Sequence, residues 1–236
     1  MADKKKRIGM LHTSMVFINV EPVFKNLFAE LLPDVEVVDF IDSDVLAAVN
    51  RDGCILPSSV NRMVHMAQAA EASDIDLIFS ACSSLGPAID EARKSVSKRI
   101  VKIDDPMAEL AVQKGTEIGV LATVPTTLDP TVDLIQEKAN QLGKEVHLHK
   151  HLCQGAFETL MSGDRAKHDQ MVLGGARELA SKVDLLVLAQ ASMARLAPML
   201  SEATGLEVLS SPRLAVEYVK RALDDFPAQK QHEAHA

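Results

Sequence analysis

The chain has 236 residues, room for one large or two small domains, and a net charge of −8 that argues against nucleic-acid binding through phosphate neutralisation. Hydrophobic residues make up 47 % and charged residues 25 %, as in ordinary globular proteins. Aromatic residues are only 3 %, with no Trp, which speaks against base-stacking platforms and aromatic-rich interfaces.

Lys4-Lys5-Lys6-Arg7 leads straight into the first apolar run and reads as a solvated strand entry. No apolar h-region follows a basic n-region, so no signal peptide is expected. No run reaches the roughly 18 apolar residues of a membrane helix, so no membrane is expected. Short apolar runs predict strands at 8–11, 35–40, 77–80, 100–103, 118–122, 145–151, 185–189 and 207–209. Longer patterns between them predict helices at 20–32, 59–72, 85–96, 105–114, 130–142, 155–161, 165–182, 194–204 and 212–225. Val60, Met63, Val64 and Ala67, for example, recur at helical spacing. Gly143 and Gly205 sit where helices end, and Pro106 and Pro212 where they begin. The alternation implies parallel strands joined by right-handed crossovers, with strands apolar throughout because both faces are buried.

The chain repeats itself. Ile8-Gly9-Met10-Leu11-His12-Thr13 returns as Ile118-Gly119-Val120-Leu121-Ala122-Thr123. Asp76-Leu77-Ile78-Phe79-Ser80-Ala81-Cys82-Ser83-Ser84-Leu85 returns as Asp184-Leu185-Leu186-Val187-Leu188-Ala189-Gln190-Ala191-Ser192-Met193, and Ile103-Asp104-Asp105-Pro106 as Leu209-Ser210-Ser211-Pro212. The separations are 110, 108 and 106 residues, in the same order. Two similar doubly wound α/β lobes related by a pseudo-twofold are therefore expected, with the active site between them. The first lobe is 1–115, joined by the C-terminal helix at about 212–226; the second is 116–211; a polar tail follows at 227–236. Ligands of open α/β sheets bind beyond the carboxyl ends of the strands, where Cys82 and Gln190 both lie.

Cys82 follows a strand and opens a helix, a position that predicts a thiol below its usual range of about 8.5. Packing is the alternative for any free cysteine. Ser83 and Ser84 are placed to cap that helix and to donate to an anion. Thr123, Thr126 and Thr127 form a second hydroxyl-rich turn, and His12, Thr13 and Ser14 the matching turn in the first lobe, which together predict a clamp for a carboxylate. His147, His149, His151 and Cys153 share one strand face, but residues two apart on a strand lie in a row roughly 7 Å apart and rarely converge on one ion, so a solvated edge strand is expected there. Cys54, Cys82 and Cys153 make no CxxC pair, which predicts a reduced, cytoplasmic protein. GxGxxG, P-loop, GxSxG and HExxH motifs are all missing.

The motifs at 8–14, Ala81-Cys82-Ser83-Ser84, 118–123 with Thr126-Thr127, and 187–194 resemble those of the Asp/Glu/hydantoin racemase superfamily, over nearly the whole chain. The resemblance implies two α/β lobes with a cysteine after a strand in each, and cofactor-free racemisation in which one thiolate removes the α-proton and the other thiol returns one. Carried over by position, Cys82 is one base and Gln190 stands in the place of the other. An amide neither holds nor gives a proton near neutral pH, so Gln190 is expected to hydrogen-bond the substrate or an enolate oxygen. Ala191 and Ser192 continue that motif beside the substrate. The superfamily also includes arylmalonate-type decarboxylases with one cysteine and maleate isomerases.

The expected activity is thus racemase- or isomerase-type chemistry at the carbon α to a carboxylate, with Cys82 as base, acid or nucleophile. A one-cysteine decarboxylase or lyase is the second reading, and a non-catalytic carboxylate-binding protein the third. No cofactor and no metal are expected. The expected partners are a small carboxylate substrate and further copies of the chain, as a dimer or a dimer of dimers.

Overall fold

Alternating apolar strands and amphipathic helices build two four-stranded parallel sheets in the computed structural model, which describes residues 5–20 and 22–224. Lys4 and the tail at 227–236, with His232 and His235, lie outside the described residues. The first sheet comprises β1 (Arg7–His12), β2 (Glu36–Ile41), β3 (Leu77–Ser80) and β4 (Ile100–Lys102), in the order β2-β1-β3-β4. The second comprises β5 (Glu117–Ala122), β6 (His147–Leu152), β7 (Leu185–Leu188) and β8 (Glu207–Ser210), in the order β6-β5-β7-β8. Every pairing is parallel, and the two orders are one permutation, so the sequence repeat is also a repeat of topology. The result is the α/β fold of two doubly wound sheets expected from the sequence.

All eight expected strands form, with bounds shifted by no more than two residues. Their burial differs from the expectation in one respect. The inner strands β3 and β7 are buried throughout, as is the edge strand β4, but the edge strands β2 and β6 are exposed at alternate or flanking positions.

Ten α-helices are described: α1 (Val23–Leu31), α2 (Val45–Asp52), α3 (Pro57–Glu71), α4 (Gly86–Arg93), α5 (Asp105–Lys114), α6 (Pro125–Leu142), α7 (Ala156–Met161), α8 (Arg165–Ala180), α9 (Ala197–Thr204) and α10 (Ser211–Asp224). Three expectations need correction. The helix expected at 20–32 is a π-helical turn, Val16–Val20, followed by α1. The one expected from Pro130 starts at Pro125 and carries Pro130 inside, so the carbonyl of Thr126 lacks its helical donor. The one expected at 194–204 is a 3-10 turn, Ala191–Leu196, followed by α9. The sequence reading also missed α2, whose Val45, Ala48 and Val49 are buried at helical spacing and whose C-cap, Gly53, is left-handed.

Each sheet is covered on both faces. On the first, Phe24 and Phe28 of α1 pack edge-on against Phe79, with ring centroids 5.4 and 6.0 Å apart, beside Ala215, Val216 and Val219 of α10. α3 and α4 cover its other face. On the second sheet, Met107, Ala108, Ala111 and Val112 of α5 join Leu128, Val132 and Ile135 of α6. α5 therefore leaves the first sheet after β4 and covers the second, whereas α10 leaves the second after β8 and covers the first. Each lobe lends the other a helix. Among the described residues no helix is long and apolar enough to cross a membrane.

Candidate functional site

The repeat places Cys82 and Gln190 in the same backbone conformation. Each follows a buried strand, at φ −126°, ψ 118° for Cys82 and φ −134°, ψ 131° for Gln190, and each opens a 3-10 turn, Ser83–Leu85 and Ala191–Leu196 respectively. The residue after the neighbouring strand meets it in both lobes. The Thr13 hydroxyl faces the Cys82 sulfur. In the second lobe the Thr123 backbone N–H and hydroxyl donate to Oε1 of Gln190, at 2.6 and 3.0 Å. The Gln190 oxygen is thus held twice by Thr123.

Cys82 is half-buried and opens onto a cavity of about 140 Å³. Ser83, Gly86, Pro87, Asp90, Lys102 and Asp104 line it from the first lobe, and Pro130, Asp133, Leu134 and Glu137 of α6 close it from the second. The expected setting between lobes is thus occupied by α6, and neither Gln190 nor the hydroxyl pair Thr126 and Thr127 is in the lining. Thr127 is buried and donates its hydroxyl to the Val124 carbonyl at 3.0 Å, which satisfies its own helix start. Thr126 is half-buried at that same start.

The charge around the thiol is mostly negative. Lys102 is the one cation among the described lining residues, and its Nζ already donates to Asp90 at 2.9 Å. Burial pushes the Cys82 thiol above its usual value. The Thr13 hydroxyl and the backbone N–H groups of Ser84 and Leu85 oppose that rise, and the charge of Asp104 adds to it. This reverses the expected lowering. A three-residue 3-10 turn aligns few peptide dipoles, and desolvation of the thiolate outweighs them.

Asp104, not singled out for chemistry from the sequence, is 4 % exposed and sits two residues past β4. Burial raises its carboxyl to about 6, with the Ser83 and Ser211 hydroxyls pulling the other way. Its only signal in the sequence was its place in the third repeat pair, just beyond a strand end.

The remaining residues take other positions. His12 is 3 % exposed; its Nε2 donates to Asp39 at 2.9 Å, and its Nδ1 is buried without a partner. Pointing away from Thr13, it lines a second, larger and more apolar cavity of about 550 Å³ with Phe17, Phe24, Phe28 and Asp39. Ser14 accepts the Val16 N–H at 3.5 Å. Ser84 is buried, Ser192 is half-buried, and Ala191 packs into the core of the first sheet. His149 donates to Glu117 at 2.5 Å, His147 lies 3.9 Å from the same carboxylate, and His151 lies 3.6 Å from Glu178. Among the described residues no group of three or more His, Cys, Asp or Glu is arranged to hold a metal. Cys54 is exposed, and burial pushes the Cys153 thiol up to about 11.

The comparisons agree with the fold. No curated protein sequence matches the chain. Its fold is similar to that of glutamate racemase isoform RacE1 from Bacillus anthracis, with 18 % identity, a TM-score of 0.71, and coverage of 94 % of this chain and 83 % of that one. A putative Asp/Glu racemase from Yersinia pestis is similar at 14 % identity and a TM-score of 0.73, over 92 % and 98 % of the two chains. Allantoin racemase from Klebsiella pneumoniae is similar at 17 % identity and a TM-score of 0.66, over 96 % and 91 %. The family described as Asp/Glu/Hydantoin racemase matches residues 30–219, from α1 to α10, and to that family the chain belongs.

Proposed function

We propose that the protein is a cofactor-independent isomerase of the racemase type, moving the proton on the carbon α to the carboxyl group of a small acid, with Cys82 as its proton-carrying thiol. Family membership supports the isomerase class. One observation carries the finer reading. Thr13–Cys82 and Thr123–Gln190 occupy equivalent positions, and only the first pair contains a group able to move a proton. Gln190, its oxygen committed to Thr123, lies outside the Cys82 cavity. The cavity at Cys82 has the volume of about five liquid water molecules, well below the range of drug-sized ligands, and fits an acid of few atoms.

The test is proton exchange in deuterated water, read by NMR on the L- and D-enantiomers of aspartate and glutamate. We expect wild-type protein to exchange the α-proton of at least one of them, and Cys82→Ser to lower that rate by about 10²–10⁴-fold. With a thiol on one wall only, the two enantiomers exchange at unequal rates. Equal exchange in both, or full exchange by Cys82→Ser, overturns the one-thiol mechanism.

A further inference from the structure

We propose that Asp104 is the catalytic base that works beside Cys82, its carboxylate taking the substrate's α-proton while the thiol supplies one in return. This rests on the reading of the Cys82 cavity as the active site. Three observations place the carboxylate there. The first is register. Ser80 on β3 pairs with Lys102 on β4, so Cys82 and Asp104, each two residues further on, lie just beyond the ends of adjacent strands. Neighbouring strands run about 4.8 Å apart.

The second is a cap that does not cap. Asp104 is the N-cap residue of α5, where a carboxylate ordinarily accepts a backbone N–H of the first turn, yet its side chain makes no such bond. It lines the cavity instead, together with Cys82 and Ser83. The third is that its Oδ1 is buried without a hydrogen-bond partner. The Ser83 and Ser211 hydroxyls lie beside the carboxyl, but a buried Oδ1 left without a bond is costly to the fold, and a ligand in the cavity is the group positioned to satisfy it.

The Asp105 carboxylate pushes the Asp104 carboxyl up and the Lys102 ammonium pulls it down, but both are engaged with other partners. Lys102 is paired with Asp90 at 2.9 Å. Asp105 takes Arg93 at 2.6 Å and Lys138, from α6, at 3.5 Å. Asp133 and Glu137 of α6 add negative charge at the cavity wall, and α10 presents only the neutral Ser211. Among the described residues no cation is recorded in a salt bridge with Asp104. Burial holds the thiol protonated near neutral pH, whereas a carboxyl at about 6 is mostly ionised there. The cavity thus contains a base and an acid at once, their proton affinities set by environment.

The steps balance. The Asp104 carboxylate takes the α-proton, and the C–H electron pair passes into the enolate of the substrate's carboxyl group. The Cys82 S–H then protonates the enolate carbon on the face opposite to the one Asp104 deprotonated, which inverts the centre and leaves a thiolate. The Asp104 carboxylic acid, the stronger acid of the two, returns its proton to that thiolate, directly or through one water, and both groups are reset.

The experiment uses the full chain in two measurements. Iodoacetamide alkylation of Cys82 is followed against pH in wild type and Asp104→Asn. We expect the variant to react about threefold or more faster at pH 8, because a like charge beside the thiolate is gone. We also expect the wild-type plot of log rate against pH to bend near 6, a readout that needs no variant to fold. Deuterium exchange on the enantiomers of aspartate and glutamate should fall by about 10²-fold or more in Asp104→Asn. Exchange kept within threefold of wild type by Asp104→Asn but lost in Cys82→Ser overturns the base and leaves the active-site reading standing. Equal alkylation rates with no bend also overturn the pairing. A wild type that exchanges none of the probes overturns the active-site reading, and the base with it.

Discussion

At the scale of the residue, the two members of the repeat that differ in chemistry also differ in what they do for the fold. Gln190 is a structural partner of Thr123: its oxygen satisfies a backbone N–H and a hydroxyl of a residue only 5 % exposed. Gln190→Cys would put a thiol at the position equivalent to Cys82 but leave that buried N–H without an acceptor. We expect it to lower stability by about 1–3 kcal/mol, read from the urea midpoint, whatever it does to activity. Asp104 behaves in the opposite sense. Its carboxyl is raised from 3.8 to about 6 in the folded chain, so its protonated form favours folding and that contribution is lost as pH rises between those values. Asp104→Asn should therefore raise the melting temperature at pH 8 and leave it nearly unchanged at pH 3.5. The full linkage amounts to about 3 kcal/mol, an upper bound because the amide is buried too. A variant no more stable at pH 8 than at pH 3.5, relative to wild type, would show that burial of the ionised carboxylate costs the fold nothing.

At the scale of the element, the repeated Ile-Gly is a packing device. A methyl group on Gly9 would lie 2.1 Å from Cδ1 of Ile75 and 3.2 Å from Cβ of Ala70; on Gly119 it would lie 2.7 Å from Cδ2 of Leu186. Helices after β2 and β6 approach the sheets closely at the same point in both lobes. Gly9→Ala and Gly119→Ala should each destabilise by about 1–3 kcal/mol through overpacking, with Gly9→Ala the worse because Ala70 has no flexible end to move. Strands were more legible than helices for a physical reason. A buried parallel strand shows as an unbroken apolar run, as in Leu185–Leu188, whereas α2 spans only two turns and follows Asp42-Ser43-Asp44, which reads as a turn. Pro130 likewise reads as a helix start and is tolerated inside α6, where it forms part of the wall opposite Cys82.

At the scale of the molecule, the exchange of α5 and α10 joins the two halves into one folding unit. The first sheet needs Val216 and Val219 from the end of the chain to cover Ile8, Met10 and Phe79, and the second needs Met107 and Val112 from before its own first strand. We expect one cooperative thermal transition, with calorimetric and van't Hoff enthalpies equal. Met107→Ala should lower its midpoint by an amount equivalent to about 2–5 kcal/mol without splitting it. A fragment of residues 1–115 should not fold alone, since it carries α5 without its sheet and a sheet without α10. Two resolved transitions would show that the lobes are energetically separate.

The sequence by itself determined the repeat, the eight strands and their parallel class, and the strand-end positions of Cys82 and Gln190. These rest on local periodicity and on residue identity at equivalent places, which the linear chain records directly. Only the tertiary structure decided which charges gather at the thiol. Asp104 reaches Cys82 through the β3–β4 pairing, and α6 closes the cavity with Pro130, Asp133 and Glu137 rather than with Thr126 and Thr127. The direction of the thiol's shift was decided there too. A helix-start signal is local, but desolvation is set by every element packed around the sulfur, and here it prevails.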